Sequence, residues 1–137
     1  MKYFDLPRSL LTGYKKLDDQ HRLLLSMFDD LMNALLEGRA SEIIFELLLK
    51  LKKYAYYHFN SEEKLMKNIN YPDIQTHSEE HNKFRKIVYK YIKEYKSNYY
   101  LITSETTDFL YSWISFHIML SDKKIIDFLS KQKNQKY

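Results

Sequence analysis

In four separate blocks of this chain the apolar residues return every three or four positions, the spacing of one face of an α-helix. The first block runs Leu17, His21, Leu24, Phe28, Leu31, Leu35 and stops at Gly38, a residue type that readily takes the left-handed conformation ending many helices. The second follows Ser41, read as its N-cap, and runs Ile44, Leu48, Leu51, Ala55, His58, Glu62, Leu65. It gives way to a turn over Asn68, Ile69, Asn70, Tyr71 and Pro72, where Asn tolerates positive φ and Pro cannot continue a helix. The third runs Ile74, His77, His81, Phe84, Val88, Tyr91, Tyr95 and fades at Ser97 and Asn98. The fourth is predicted to begin near Thr103 or Ser104 and runs Thr106, Leu110, Trp113, His117, Leu120. With only 2 Gly and 2 Pro in 137 residues, a fold built on many tight turns is excluded. The predicted fold is all-α, an up-down-up-down four-helix bundle in a single domain. An N-terminal arm covers 1–16, the bundle about 17–124, and a C-terminal tail 125–137, with a short C-terminal turn or helix.

What the chain lacks narrows its chemistry. Without Cys it has no disulfide, thiolate nucleophile, cysteine zinc finger or iron–sulfur cluster. No apolar run approaches the ~18 residues of a membrane span, so no stable membrane insertion is expected. The start, MKYFDLPRSLL, carries charges and a proline and does not read as a signal peptide, which predicts a cytoplasmic protein. The net charge of +4 comes from 22 Lys and Arg against 18 Asp and Glu. These basic residues are scattered among acidic ones, and no nucleic-acid-binding motif accompanies them. A nucleic-acid partner is therefore not expected, and the closing KQKNQKY reads as a solvated end.

The apolar stripes hold a surprise. All 5 histidines, His21, His58, His77, His81 and His117, fall on them. A core-facing stripe covers about three positions in seven, so chance would place all five there roughly once in seventy. One buried histidine is ordinarily satisfied by a carbonyl or a tyrosine. Five on facing helices would each need a separate partner, whereas one metal centre satisfies them together. His58 and Glu62 are four residues apart, as are His77 and His81, so each pair points the same way from its helix. Glu62 on an apolar stripe is costly unless it is paired. Its neighbour Glu63 reads as an ordinary surface charge. Asp122 follows His117 by five residues, which turns it off that face in a continuous α-helix. It joins the site only if the fourth helix ends or bends near Ser121; otherwise it caps a short following turn.

Five imidazoles and two carboxylates exceed the needs of one metal and suit first-row transition metals, iron above all in a helical bundle. Rival chemistries fit poorly: no nucleophile motif, phosphate-binding glycine loop or HExxH occurs. The ferritin-like pattern wants Glu-x-x-His twice, and no Glu stands three residues before any His here.

These residues resemble a known family, the hemerythrins, in their single-domain bacterial form. The likeness rests on Leu17, Asp18, Asp19, Gln20 and His21; on His58-Phe59-Asn60-Ser61-Glu62-Glu63 with Leu65 and Met66; on Tyr71 and Pro72 leading to His77 and His81; and on Trp113, His117, Ile118 and Asp122. It spans about Gly13 to Lys124, in the family's order. The resemblance implies that His77, His81 and His117 hold one iron, that His21 and His58 hold the other, and that Glu62 and Asp122 bridge them. Two irons per chain with an oxo or hydroxo bridge would then leave one coordination position open, on the iron held by two histidines. Dioxygen would bind there reversibly, for storage, delivery or sensing. The pocket over that position would be supplied by Leu24, Phe59, Trp113, Ile114 and Ile118. The alternative is a di-iron oxidoreductase, a peroxidase or nitric-oxide-handling enzyme, but nitrogen-rich ligands disfavour the high-valent iron that oxygenase chemistry uses. Three departures stand out. The arm has Tyr3, Phe4 and Tyr14 where the family often carries Trp, Ile114 replaces a frequent Leu, and Asn70 replaces a usual Gly. The sequence points to no particular protein partner.

Overall fold

A computed structural model describes residues 11–135, and the side chains up to Gln132. The expected positions Tyr3 and Phe4 of the arm lie outside the described residues. Among the described residues five α-helices follow one another: α1 over Lys15–Leu36, α2 over Ala40–Asn68, α3 over Ile74–Glu94, α4 over Tyr99–Ser112 and α5 over Lys123–Gln135. Between α4 and α5 the backbone stays helical but widens into a π-helix over Trp113–Asp122. No strand occurs among the described residues, and no helix among them is long and apolar enough to cross a membrane.

The turns between helices are where the chain can reverse cheaply. Gly38 has φ of +71° after α1, and Asn70 has φ of +55° after α2, each ending its helix in the left-handed region. Short connections force antiparallel neighbours. The core packed between the helices is formed by Leu24, Leu31, Ile44, Leu48, Leu51, Phe59, Phe84, Ile102, Leu110 and Ile114, all buried.

Two predicted helix starts are corrected. The second helix begins at Ala40 behind Arg39, without the expected Ser41 cap. The fourth begins at Tyr99, one turn before Thr103. Thr103 fails as an N-cap because its hydroxyl bonds backward, donating to the Tyr99 carbonyl at 2.7 Å, and Thr107 repeats the bond onto Thr103 at 2.8 Å.

The stretch read as a tail is packed helix through Leu129. Ile125, Ile126 and Leu129 are buried on it. Ile125 packs with Met66 and Tyr71, and Phe128 sets its ring edge-on to Tyr71. Gln132 donates to the Ile69 carbonyl at 2.7 Å, satisfying a group left over at the end of α2. Helix α5 therefore closes the end of the bundle at the α2–α3 turn.

Candidate metal centre

Antiparallel packing brings distant sequence positions to this same closed end. His21 lies in the second turn of α1, His58 and Glu62 late in α2, His77 and His81 early in α3, and His117 and Asp122 in the π-helix after α4. All seven are buried. Every imidazole turns its Nε2 inward to the two carboxylates. Glu62 Oε1 lies 2.5 Å from His77 and 3.1 Å from His81, and Glu62 Oε2 lies 3.1 Å from His58 and 3.7 Å from His21. Asp122 Oδ1 lies 2.9 Å from His77 and 3.1 Å from His117, and its Oδ2 lies 3.0 Å from His21.

Asp122 reaches the site by a route other than the two expected. The fourth helix neither ends nor bends at Ser121; it widens. In a π-helix the hydrogen bond runs from i to i+5, so residues five apart share a face. His117 and Asp122 have that spacing. The same change of register swings Leu120, expected on the His117 stripe, out to solvent, where it is 55% exposed.

The ligand atoms form two overlapping groups. Glu62, His77, His81, His117 and Asp122 make one, and His21, His58, Glu62 and Asp122 make the other, with the atoms of each within 4.8 Å of one another. Both carboxylates belong to both groups. Either group can hold a cation of the transition-metal class, with imidazole nitrogen and carboxylate oxygen as donors.

The polar atoms themselves argue for cations. Both oxygens of Asp122 and the Nε2 atoms of His21 and His117 are buried without an aligned hydrogen bond, close as they are to one another. Native proteins rarely leave such atoms unmet. Every ion-pair partner of Glu62 and Asp122 among the described residues is a histidine. With neutral imidazoles the site would bury two bare negative charges, a costly arrangement.

Without a cation, protons fill the gap. Burial pushes Glu62 up, but the close imidazoles of His21, His58, His77 and His81 outweigh it and hold the carboxyl well below its usual range. Asp122 is likewise raised by burial and by Glu62, and lowered further than that by His117 and His21. Burial works against the charged form of His21 and His77, yet their bonds to Asp122 and Glu62 lift both to about 10. His117 rises to about 9, against burial, through Asp122 and Glu80. His58 goes the other way, lowered by burial.

A ring of outer groups fixes the imidazoles, and sequence reasoning missed it. His58 donates from Nδ1 to Gln20 Oε1 at 2.8 Å, and His117 from Nδ1 to Glu80 Oε2 at 2.6 Å. Ser121 holds the other Glu80 oxygen at 3.2 Å. A proton on Nδ1 leaves the Nε2 lone pair free for a metal. Glu63 does not behave as a plain surface charge: its Oε1 stands 3.7 Å from His81 Nδ1, and Arg85 Nη2 reaches its other oxygen at 3.4 Å. Aromatic plates back three of the rings. Phe59 stacks on His81 with centroids 3.9 Å apart, Trp113 on His117 at 3.8 Å, and Tyr54 on His58 at 5.0 Å.

The five residues expected to line a pocket, Leu24, Phe59, Trp113, Ile114 and Ile118, are all buried in one cluster. Phe59 and Trp113 thus belong both to this apolar cluster and to the plates behind His81 and His117.

Known proteins resemble this chain in sequence. The hemerythrin HHE cation-binding domain matches residues 12–129. A bacteriohemerythrin of Clostridium acetobutylicum is 32% identical, over 84% of this chain and 92% of that protein. One from Methylococcus capsulatus is also 32% identical, over 77% of this chain and 80% of its own length. A Pseudomonas aeruginosa bacteriohemerythrin is 28% identical, over 86% and 76% respectively. Matched from the arm to the last buried turn of α5, with its histidines and carboxylates gathered at one end of a helical bundle, this chain belongs to the hemerythrin family of non-haem iron, oxygen-binding proteins rather than enzymes.

Proposed function

We propose that the protein binds dioxygen reversibly at a pair of irons held by His21, His58, Glu62, His77, His81, His117 and Asp122, within one hemerythrin-like domain. The observation that carries this reading is the sharing of Glu62 and Asp122 between the two groups of ligand atoms. A single cation would leave part of the set idle, and two separate sites would not need common carboxylates. When bound, an iron pair supplies two reducing electrons and a coordination position for the gas.

The chain's own residues supply the rest. His77, His81 and His117 face one side of the carboxylate pair, and His21 and His58 the other. Gln20 and Glu80 keep the Nδ1 protons of His58 and His117 directed outward. Leu24, Ile114 and Ile118, with the faces of Phe59 and Trp113, keep water from the buried carboxylates. A dry wall disfavours departure of a charged, reduced oxygen species, which keeps binding reversible. The side nearer His21 and His58 has fewer imidazoles, and we assign the open position to it.

The test is optical. Protein loaded with ferrous iron under inert gas is expected to be nearly colourless, to gain a visible absorption band under air, and to lose it when inert gas returns. A band that never reverses, with steady oxygen uptake in its place, would overturn the reading.

A further inference from the structure

Away from the metal centre, the outer faces of α2 and α3 enclose a groove of about 370 Å³ that the oxygen-binding reading leaves unused. Its floor is Ala55 and Val88, both buried. Its walls are Tyr56 and Tyr89, which are 64% and 57% exposed. Lys52, Arg85 and Lys86 complete the lining, and no acidic residue belongs to it.

The helical register explains the arrangement. Lys52 and Tyr56 are four apart on α2, and Arg85 and Tyr89 are four apart on α3, so each helix sets a cation one turn from an aromatic ring. The helices run antiparallel, as the pairing of Phe59 with Phe84 and of Glu62 with His81 shows. The two rails are therefore reversed. Lys52 lies toward the Tyr89 end of the groove and Arg85 toward the Tyr56 end.

We infer that this groove is a binding site for a planar aromatic molecule carrying an anionic group, of the chemical class of flavin mononucleotide. The ring system lies on the apolar floor beside Tyr56 and Tyr89, where burial and contact with the two rings favour it. The anionic group meets Lys52 and Lys86, while Arg85 is a third cation already shared with Glu63 at 3.4 Å. A bare anion gains nothing from the floor, and an uncharged ring gains nothing from the cations. Arg85 also stands over the Phe59 ring at 5.2 Å and contacts Glu63, so a ligand here touches a neighbour of the two residues that back His81. The inference does not depend on the metal reading, because the groove is formed by the helices alone.

Flavin mononucleotide serves as the probe, with the full-length protein and its own fluorescence as the signal. Stacking on tyrosine is expected to quench that fluorescence and raise its polarisation on titration. Riboflavin, which has the ring without the phosphate, is expected to bind at least about tenfold more weakly, as is inorganic phosphate in displacing the bound probe. Lys86→Glu and Tyr89→Ala change exposed side chains and are each expected to weaken binding at least about fivefold with an unchanged far-ultraviolet circular dichroism spectrum. Should either variant misfold, Lys52→Glu on the other helix takes its place. Half-saturation weaker than about 1 mM, equal binding of riboflavin, displacement by phosphate at matching concentration, or folded variants that bind like the unaltered protein would each overturn the proposal.

Discussion

Removing the metal should reverse the sign of the protein's pH dependence. In the metal-free fold His21 and His77 titrate near 10 and His117 near 9, against an ordinary value of 6.5. Groups whose folded pKa is raised add stability that is complete below 6.5 and is lost as pH climbs toward 9 and 10. Glu62 and Asp122 stay ionised throughout that window, and two carboxylates can fully neutralise two imidazolium charges. Two protons held by the folded chain and not by the unfolded one give a slope of about −3 kcal/mol per pH unit. A domain of this size has about 5–15 kcal/mol in total, so the metal-free bundle should be failing by about pH 9. His58 works in the opposite sense: burial depresses it, so its contribution is lost as pH falls below 6.5. The metal-free optimum should accordingly sit near pH 6 to 7. With metal bound the same nitrogens must be deprotonated, so stability should instead fall on acidification. Urea unfolding followed by circular dichroism at pH 6, 7, 8 and 9, with chelator and with ferrous iron under inert gas, measures both slopes. A metal-free stability that is flat or rising between pH 7 and 9 would refute the proton bookkeeping behind this claim.

Three further outcomes are expected. Glu80→Ala removes the group that holds the His117 Nδ1 proton, and iron affinity should fall about 10–100-fold, with Glu80→Gln recovering part of the loss, as read by competition with a chelator. The Tyr54 hydroxyl is buried without a hydrogen-bond partner, so Tyr54→Phe should leave thermal stability unchanged or raise it by up to about 1–3 kcal/mol. Ile114 is fully buried in the apolar wall, and Ile114→Asn should admit water and speed irreversible loss of the oxygen-dependent band, counted over repeated gassing cycles.

How much of this was legible in the sequence depends on the range of the interaction involved. Periodicity placed the helices because one apolar stripe must face one core, and Gly38 and Asn70 marked chain reversals because their backbones must enter the left-handed region. Helix starts were less legible: Thr103 looks like a cap and instead bonds to its own helix. Six of the seven site residues could be named because each interrupts an apolar stripe where polarity is expensive, and Asp122 only through the family resemblance. The means by which Asp122 joins them was hidden, since apolar spacing read at the α-helical period does not signal a π-helix over Trp113–Asp122. Gln20, Glu63 and Glu80 were invisible for a related reason. They are partly exposed polar residues on polar faces, and only the packed structure shows their side chains aimed at the backs of imidazoles. The packing of α5 was underread because its charged neighbours mask Ile125, Ile126 and Leu129.

The central claim, that Glu62 and Asp122 are shared between two cations, is tested most directly by counting metal. Protein stripped with chelator, reloaded with excess ferrous iron under inert gas and desalted should retain two irons per chain by elemental analysis. Glu62→Ala, which removes a carboxylate common to both groups of ligand atoms, should lose most of both. Retention of a single iron, or of none, by the unaltered protein would contradict the account.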